Sequence, residues 1–186
     1  MTTLNRIHNC IVAAVLATVA FYSPVWADDD RLETLYADLL SAEPADAKRI
    51  AKEIELAWTF SGSSAADLLL KRGSDALEAG DIGKAIEHLT ALTDHAPDFA
   101  EGWYMRGIAF TRAEMFGPAL ADFEQALALE PRHYNAIASL GGLLFQINQY
   151  EMAKQAFDLV LDIHPHHEEA GEAIEAAQRE VGGAEL

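Results

Sequence analysis

Residues 103–131 read WYMRGIAFTRAEMFGPALADFEQALALEP, and the spacing within this stretch recurs on both sides of it. Its glycine, Gly107, lies 34 residues from Gly73 and 34 residues from Gly141. The same interval separates two further sets of identical residues, Pro97, Pro131 and Pro165, and Ala85, Ala119 and Ala153. A fixed period of this length, held by three columns of residues, predicts a repeat protein in which each repeat is one small structural unit.

Large apolar residues recur in the same frame. They are Leu69, Trp103 and Ile137; Ala76, Phe110 and Leu144; Ile82, Phe116 and Tyr150; Leu89, Phe123 and Phe157; and Leu92, Ala126 and Val160. The glycine and alanine columns are expected where two antiparallel helices of one unit touch, because a larger side chain would hold the backbones apart. The proline is expected to end the second helix, since it lacks an N–H group and disfavours helix in the residue before it.

The stretch from Trp103 to Pro131 resembles a nearly complete member of the tetratricopeptide repeat family. The resemblance implies an all-α fold, a right-handed α-solenoid of antiparallel helix pairs, with repeats at 66–99, 100–133 and 134–167. In this family such arrays bind protein or peptide segments along the concave face that the first helices line. The chain is therefore expected to be an interaction module.

Two arginines depart from the family pattern. Arg72 and Arg106 precede the repeat glycines, where the family usually has a leucine, whereas Leu140 keeps it. Residues 58–73 (WTFSGSSAADLLLKRG) also resemble small exported repeat proteins of bacteria that have no assigned activity.

Helical periodicity continues on both sides of the three repeats. Residues 28–65 contain two amphipathic stretches with Pro44 between them, which predicts a degenerate helix pair capping the N-terminal end of the array. In the repeat frame, however, Glu55 and Ser63 stand where the other units have an apolar residue and the proline. Residues 168–186 predict a capping helix and tail with a polar outer side, as the end of a solenoid requires.

Residues 1–27 have the three parts of a secretory signal peptide. Arg6 precedes an apolar run at 11–22, and Val25-Trp26-Ala27 predicts cleavage after Ala27. The apolar run has 12 residues, against about 20 that are needed to span a bilayer. The mature protein is thus expected to be exported, periplasmic or secreted, without membrane insertion and without Cys10, the single cysteine of the chain.

The charge balance excludes some classes of partner. The chain has 30 acidic and 13 basic residues and a formal charge of −17, so its surface repels nucleic acids and anionic lipids. The same charge favours a basic protein or peptide, although an acidic surface also serves solubility alone.

No pattern in the sequence points to catalysis or to a cofactor. The histidines at His164, His166 and His167 leave open an alternative, an accessory envelope enzyme or a metal-dependent protein. A metal site needs several ligands converging on one point, and no third and fourth ligand can be named here. We therefore expect a non-enzymatic adaptor, assembly factor or holdase, with no metal.

The family resemblance assigns the residues of the concave groove. Seven are predicted to contact a partner: Leu70, Ser74, Tyr104, Ile108, Thr111, Asn135 and Ser139. Some family members hold a C-terminal carboxylate with Lys, Asn and Arg on this stripe, but the matching sites here are mostly apolar or uncharged. The groove is therefore expected to bind an extended or helical segment through an apolar strip with polar edges.

The signal-peptide assignment can be checked by intact mass spectrometry. Protein recovered from the envelope fraction should have the mass of a chain that begins at Asp28, because signal peptidase cuts after small residues such as Ala27. Recovery of the uncleaved chain in the membrane would contradict the prediction.

Overall fold

The computed structural model describes residues 25–183, and all regular secondary structure in this range is helical. The helices are α1 Val25–Ser41, α2 Pro44–Trp58, α3 Ser64–Glu78, α4 Ile82–His95, α5 Ala100–Arg112, α6 Phe116–Leu129, α7 Tyr134–Gln146, α8 Tyr150–Ile163 and α9 Glu168–Gly183. The predicted all-α solenoid is confirmed. Helix α3 begins at Ser64, and the Ser63 hydroxyl caps it by accepting the N–H of Ala66.

Each predicted repeat contains one pair of packed helices: α3 with α4, α5 with α6, and α7 with α8. The glycine of the first helix faces a large side chain of the second. A Cβ atom on Gly107 would lie 2.6 Å from Cε1 of Phe123, and one on Gly141 would lie 2.9 Å from Cε1 of Phe157. Such distances are too short for real side chains in a close-packed interior. The structure thus confirms that the glycine column lies where the two helices of each pair touch.

Arg106 connects the first two repeats. Its Nε and Nη2 atoms donate to the Asp122 carboxylate at 2.7 and 2.8 Å, and its Nη1 atom donates to the Thr93 hydroxyl at 2.7 Å. The guanidinium lies 4.8 Å from the Trp103 ring centroid and 5.6 Å from that of Phe110. Because these groups belong to α4, α5 and α6, the arginine at the usual leucine position joins three helices by charge-assisted hydrogen bonds.

The hairpin formed by α1 and α2, which we call the N-terminal hairpin, lies where the sequence did not predict it. The expected cap on the first repeat is wrong: the hairpin packs against the end of the second repeat and against the third repeat. Trp58 stacks on His133 with ring centroids 4.0 Å apart, and the Tyr36 hydroxyl donates to the carbonyl oxygen of Arg132 at 3.2 Å. Apolar residues of the hairpin and of the third repeat form one continuous core.

Two departures from the repeat frame explain why the pair does not extend the array as a further repeat. At Glu55 the α2 helix presents a carboxylate where a repeat needs an apolar contact, and Ser63 cannot end a helix as proline does. The apolar residues Ile50, Ile54 and Trp58 lie on one face of α2 and are all buried in the core shared with the third repeat.

The two ends of the chain are described only in part. Residues 1–24 of the predicted signal peptide lie outside the described residues, and α1 begins at Val25, before the predicted cleavage site. At the other end, α9 packs on α8 and buries Ala170 and Ala177, while 184–186 lie outside the described range. Of the helices in residues 25–183, none combines the length and the apolar character needed to cross a membrane.

Ala119 provides a test of the helix-pair contact. Its side chain is 0% exposed, so Ala119→Leu should overpack the centre of the second repeat and lower the free energy of unfolding by about 1–3 kcal/mol. Urea unfolding followed by circular dichroism measures the change. The matched control is Ala121→Leu, on the same helix but exposed, which should be nearly neutral. Equal destabilisation by both substitutions would contradict the packing described here.

Candidate functional site

The predicted groove residues come from the first helices of the three repeats, α3, α5 and α7. Most of them are half-buried, namely Ser74, Tyr104, Ile108, Thr111, Asn135 and Ser139. Leu70 differs from the prediction. It is only 7% exposed and lies in the apolar core that α3 shares with α4 and α5, so little of its side chain is available to a partner.

Tyr104 is more buried than a residue that only lines the surface of a groove. Its ring lies 4.7 Å from the His133 ring and 6.4 Å from the Phe123 ring, measured between centroids. Burial raises the pKa of Tyr104 to about 12, and the negative charge of Glu101 contributes. The residue therefore belongs both to the groove and to the junction between the second and third repeats.

One part of the α7 surface is open. A Cβ atom on Gly142 would meet no atom within 4 Å, although one on the preceding Gly141 would collide with Phe157. In the repeat frame Gly142 corresponds to the groove residue Ile108.

A hydrogen bond joins the first helices of the first two repeats. Arg112, at the end of α5, donates to the carbonyl oxygen of Leu77 at 2.9 Å and so links α5 to the end of α3.

The other end of the groove is in contact with the N-terminal hairpin. The Tyr134 hydroxyl lies 3.1 Å from the carbonyl oxygen of Ala51 and 3.3 Å from the Glu55 carboxylate, and it directs its proton toward these acceptors. The Asn135 amide donates to the same carboxylate at 3.4 Å. Burial raises the pKa of Tyr134 far above its usual range, and the charge of Glu55 adds to this, so the hydroxyl remains a donor.

His133 forms the centre of this contact. Its ring is 0% exposed and stacks on Trp58 with an interplanar angle of 17°. Its Nδ1 atom accepts the N–H of Ala136 at 3.2 Å and caps α7, which assigns the proton to Nε2. Nε2 then donates to the Glu101 carboxylate at 2.9 Å. The imidazole thus joins α2, α5 and α7 through one stack and two hydrogen bonds.

The histidines at the end of the third repeat have separate surroundings. His167 caps α9 by accepting the N–H of Ala170 at 3.2 Å, as His133 does one repeat earlier. His166 lies 3.0 Å from the carbonyl oxygen of Ala42 on the hairpin side. His164 is only 6% exposed. Within residues 25–183 no three His, Cys, Asp or Glu side chains are arranged to hold a metal ion.

An open cleft of about 370 Å³ lies along the contact between the hairpin and the third repeat. Residues from both sides line it, including Lys48, Lys52, Glu55, Tyr134, Asn135 and His164. Two buried polar atoms at this junction, Nε1 of Trp58 and Nδ1 of His164, find no hydrogen-bond partner among the described residues. Each such atom costs about 1–3 kcal/mol of desolvation. The hairpin is therefore held by an interface whose polar groups are incompletely paired.

Sequence reasoning missed the hairpin side of this site. Glu55 and Trp58 were placed in a terminal cap, yet both contact the first turn of α7 or the residue before it. The one available signal was the failure of the repeat frame at Glu55 and Ser63, which indicated that this pair could not extend the array.

Comparison with known proteins identifies the repeat. Two family models match the chain, both described as tetratricopeptide repeat, over residues 70–116 and 110–177. Together they cover more than half of the 186 residues. This chain belongs to the tetratricopeptide repeat family.

Relatives and solved structures agree with this assignment. A TPR repeat-containing protein of Rhizobium etli is 29% identical over 154 residues, which are 82% of this chain and 76% of the relative. The first TPR domain of the human RPAP3 protein is similar with a TM-score of 0.63 at 25% identity, over 65% of this chain and 95% of that chain. The first TPR of Spaghetti (RPAP3), bound to the HSP90 peptide SRMEEVD, is similar with a TM-score of 0.63 at 25% identity, over 64% of this chain and 95% of that chain. That neighbour is a peptide-binding TPR domain.

The environment of His164 predicts a pH-dependent stability. Burial, with a smaller contribution from the charges of His167 and His166, lowers the pKa of His164 from 6.5 to about 4. Between these two pH values the unfolded chain binds a proton that the folded chain does not, so the free energy of unfolding falls as the pH is lowered through this window. The loss is on the order of 2 kcal/mol.

Urea unfolding at pH 7 and pH 4.5 measures this effect. His164→Gln should lose less stability between the two pH values than the parent does, because the substituted side chain does not titrate. His166→Gln, in the same turn but exposed, is the control and should retain most of the parental loss. An unchanged pH dependence in His164→Gln would show that the buried imidazole is not the group responsible.

Proposed function

We propose that this chain is an exported protein-interaction module that binds a peptide or protein segment along the concave face of its repeats. The observation that carries the proposal is the open space beside Gly142 on α7, at a groove position of the repeat frame. Half-buried side chains of all three first helices, such as Ser74, Thr111 and Ser139, lie along the same stripe. Membership of a family with a peptide-bound neighbour of similar fold supports it.

The partner we propose differs from the peptide of that neighbour. SRMEEVD is acidic, whereas this chain has a formal charge of −17 and carries mostly apolar or uncharged residues at the positions of the family's carboxylate clamp. Long-range repulsion disfavours a strongly acidic ligand as well as nucleic acid. We propose a segment that binds by apolar contacts and that is neutral or basic overall.

The cellular role that follows is that of an adaptor, assembly factor or holdase in the envelope. The support for export is the pattern of residues 1–27. The alternative of a metal-dependent envelope enzyme needs ligands at the histidine turn. There His167 caps α9 and His166 contacts Ala42, so their hydrogen bonds already have structural uses and do not favour that alternative.

Gly142→Tyr tests the groove directly. The new side chain enters open space, so the fold should be retained, with helix propensity improved by a few tenths of a kcal/mol. Blocking the groove should reduce the amount of partner captured from envelope extract by about tenfold or more, equivalent to 1.4 kcal/mol of binding free energy. Quantitative mass spectrometry of the captured proteins, parent against variant, measures the change.

The matched control is Gly117→Tyr. Gly117 is exposed on α6, a second helix of a pair, and a Cβ atom there also meets no atom within 4 Å. This variant should capture the same partner as the parent. Undiminished capture by a folded Gly142→Tyr protein would show that the partner binds away from the concave face.

A further inference from the structure

The N-terminal hairpin contacts the same face that the repeats offer to a partner. Its α2 helix lies against the beginning of α7, where Glu55 contacts Tyr134 and Asn135, and Trp58 stacks on His133. Asn135 is one of the predicted groove residues, and the His133 ring is in turn 4.7 Å from that of Tyr104. A helix of the chain itself therefore covers the third-repeat end of the groove.

We propose that the hairpin is an intramolecular occupant of the ligand surface, and that the external partner is an amphipathic helix which displaces it. The partner helix presents an aromatic ring to His133 and, three residues before that ring, a carboxylate to Tyr134 and Asn135. This inference rests on the proposed function, because it names the chemistry of the segment that the groove binds.

The contacts of α2 show why this chemistry is recognised. The Glu55 carboxylate lies at the first two residues of α7, where helix N–H groups and the helix dipole favour negative charge. The Tyr134 hydroxyl and the Asn135 amide add two neutral donors, so a carboxylate is held without a cationic clamp. Three residues further on, the flat face of the Trp58 indole covers the buried His133 ring.

The contacts that hold the hairpin favour its replacement by a partner helix. Trp58 Nε1 and His164 Nδ1 are buried at the junction without partners among the described residues, which weakens the docked state relative to a fully paired one. The ion pair of Lys48 with Glu168 is exposed on both sides and contributes little. The strongest polar anchor is Arg132, which contacts Glu33 through two guanidinium nitrogens and lies 4.0 Å above the Tyr36 ring.

The tether allows the hairpin to leave without unfolding the array. Residues 59–63 connect α2 to α3, and Gly62 adopts a left-handed φ of 75° there. Ser61 anchors the end of this loop to α3, since its hydroxyl donates to the Asp67 carboxylate at 2.6 Å. The α1–α2 hairpin can therefore swing about residues 59 and 60 while α3 keeps the core that it shares with α4 and α5.

The test uses a labelled synthetic peptide of residues 44–60 and the complete protein. The parent should bind the peptide weakly, because the tethered hairpin competes at a high effective concentration. The double variant Glu33→Gln, Tyr36→Phe removes the negative charge that faces the Arg132 guanidinium and the hydroxyl that donates to the Arg132 carbonyl oxygen, without creating a cavity. It should raise the peptide affinity, measured by fluorescence anisotropy, by about tenfold or more, since the free face becomes more populated.

Two controls isolate the effect. Glu53→Gln changes a carboxylate of the same hairpin whose ion pairs among the described residues are with Arg31 and Arg49, both of the hairpin, so it should leave the affinity unchanged. A peptide with alanine in place of Trp58, or glutamine in place of Glu55, should bind at least about tenfold more weakly to the double variant. Equal affinity of the parent and the double variant would overturn the proposal.

Hydrogen exchange on the parent gives a second readout that needs no substitution. Saturating peptide should increase exchange in α1 and α2 while the repeats keep their protection. Peptide binding without loss of protection in the hairpin would place the peptide elsewhere and overturn the proposal. The proposed function has its own test: if Gly142→Tyr blocks partner capture but the hairpin variants bind peptide as the parent does, only this inference fails.

Discussion

The close approach of the two helices in each repeat is the constraint on which the other features depend. It is set by a glycine of the first helix against one large residue of the second, Phe123 in the second repeat and Phe157 in the third. Because nothing larger than hydrogen fits there, the two axes of a pair have one permitted separation, and the same geometry recurs every 34 residues. Regular pairs then stack, and the first helices are left in a row that forms a concave surface.

Polar contacts fix how neighbouring repeats meet. Arg106 uses its fork of donors to hold Thr93 of the first repeat and Asp122 of the second, and it lies between two aromatic rings. His133 joins the second repeat to the third in a similar way, because it caps α7 and also forms a hydrogen bond with Glu101 of the second repeat. These residues are structural, although an isolated arginine or histidine in a sequence often suggests a binding or catalytic site. Their partners in the fold explain them without a ligand.

The N-terminal hairpin turns the concave surface into a partly covered one. The open part lies beside Gly142, and the covered part lies at the first turn of α7, under Glu55 and Trp58. A repeat array exposes its ligand face permanently unless another element shields it, and apolar faces that stay exposed promote association. The hairpin shields this face through an interface in which two buried polar atoms have no hydrogen-bond partner among the described residues.

The sequence by itself determined the repeat, its period, the family, the helix pairs and the packing role of Gly107 and Ala119, because each of these depends on local periodicity. The groove residues stay a prediction that the family resemblance assigns, and most of them are half-buried in the structure. Sequence reasoning misjudged the burial of Leu70 and the position of the hairpin. Both depend on contacts between residues far apart in the chain, such as Trp58 with His133 and Tyr36 with Arg132. No local pattern encodes which of several apolar surfaces an amphipathic hairpin will cover; only the tertiary structure decides it, through the shape and hydrogen-bonding groups of the surface that it meets.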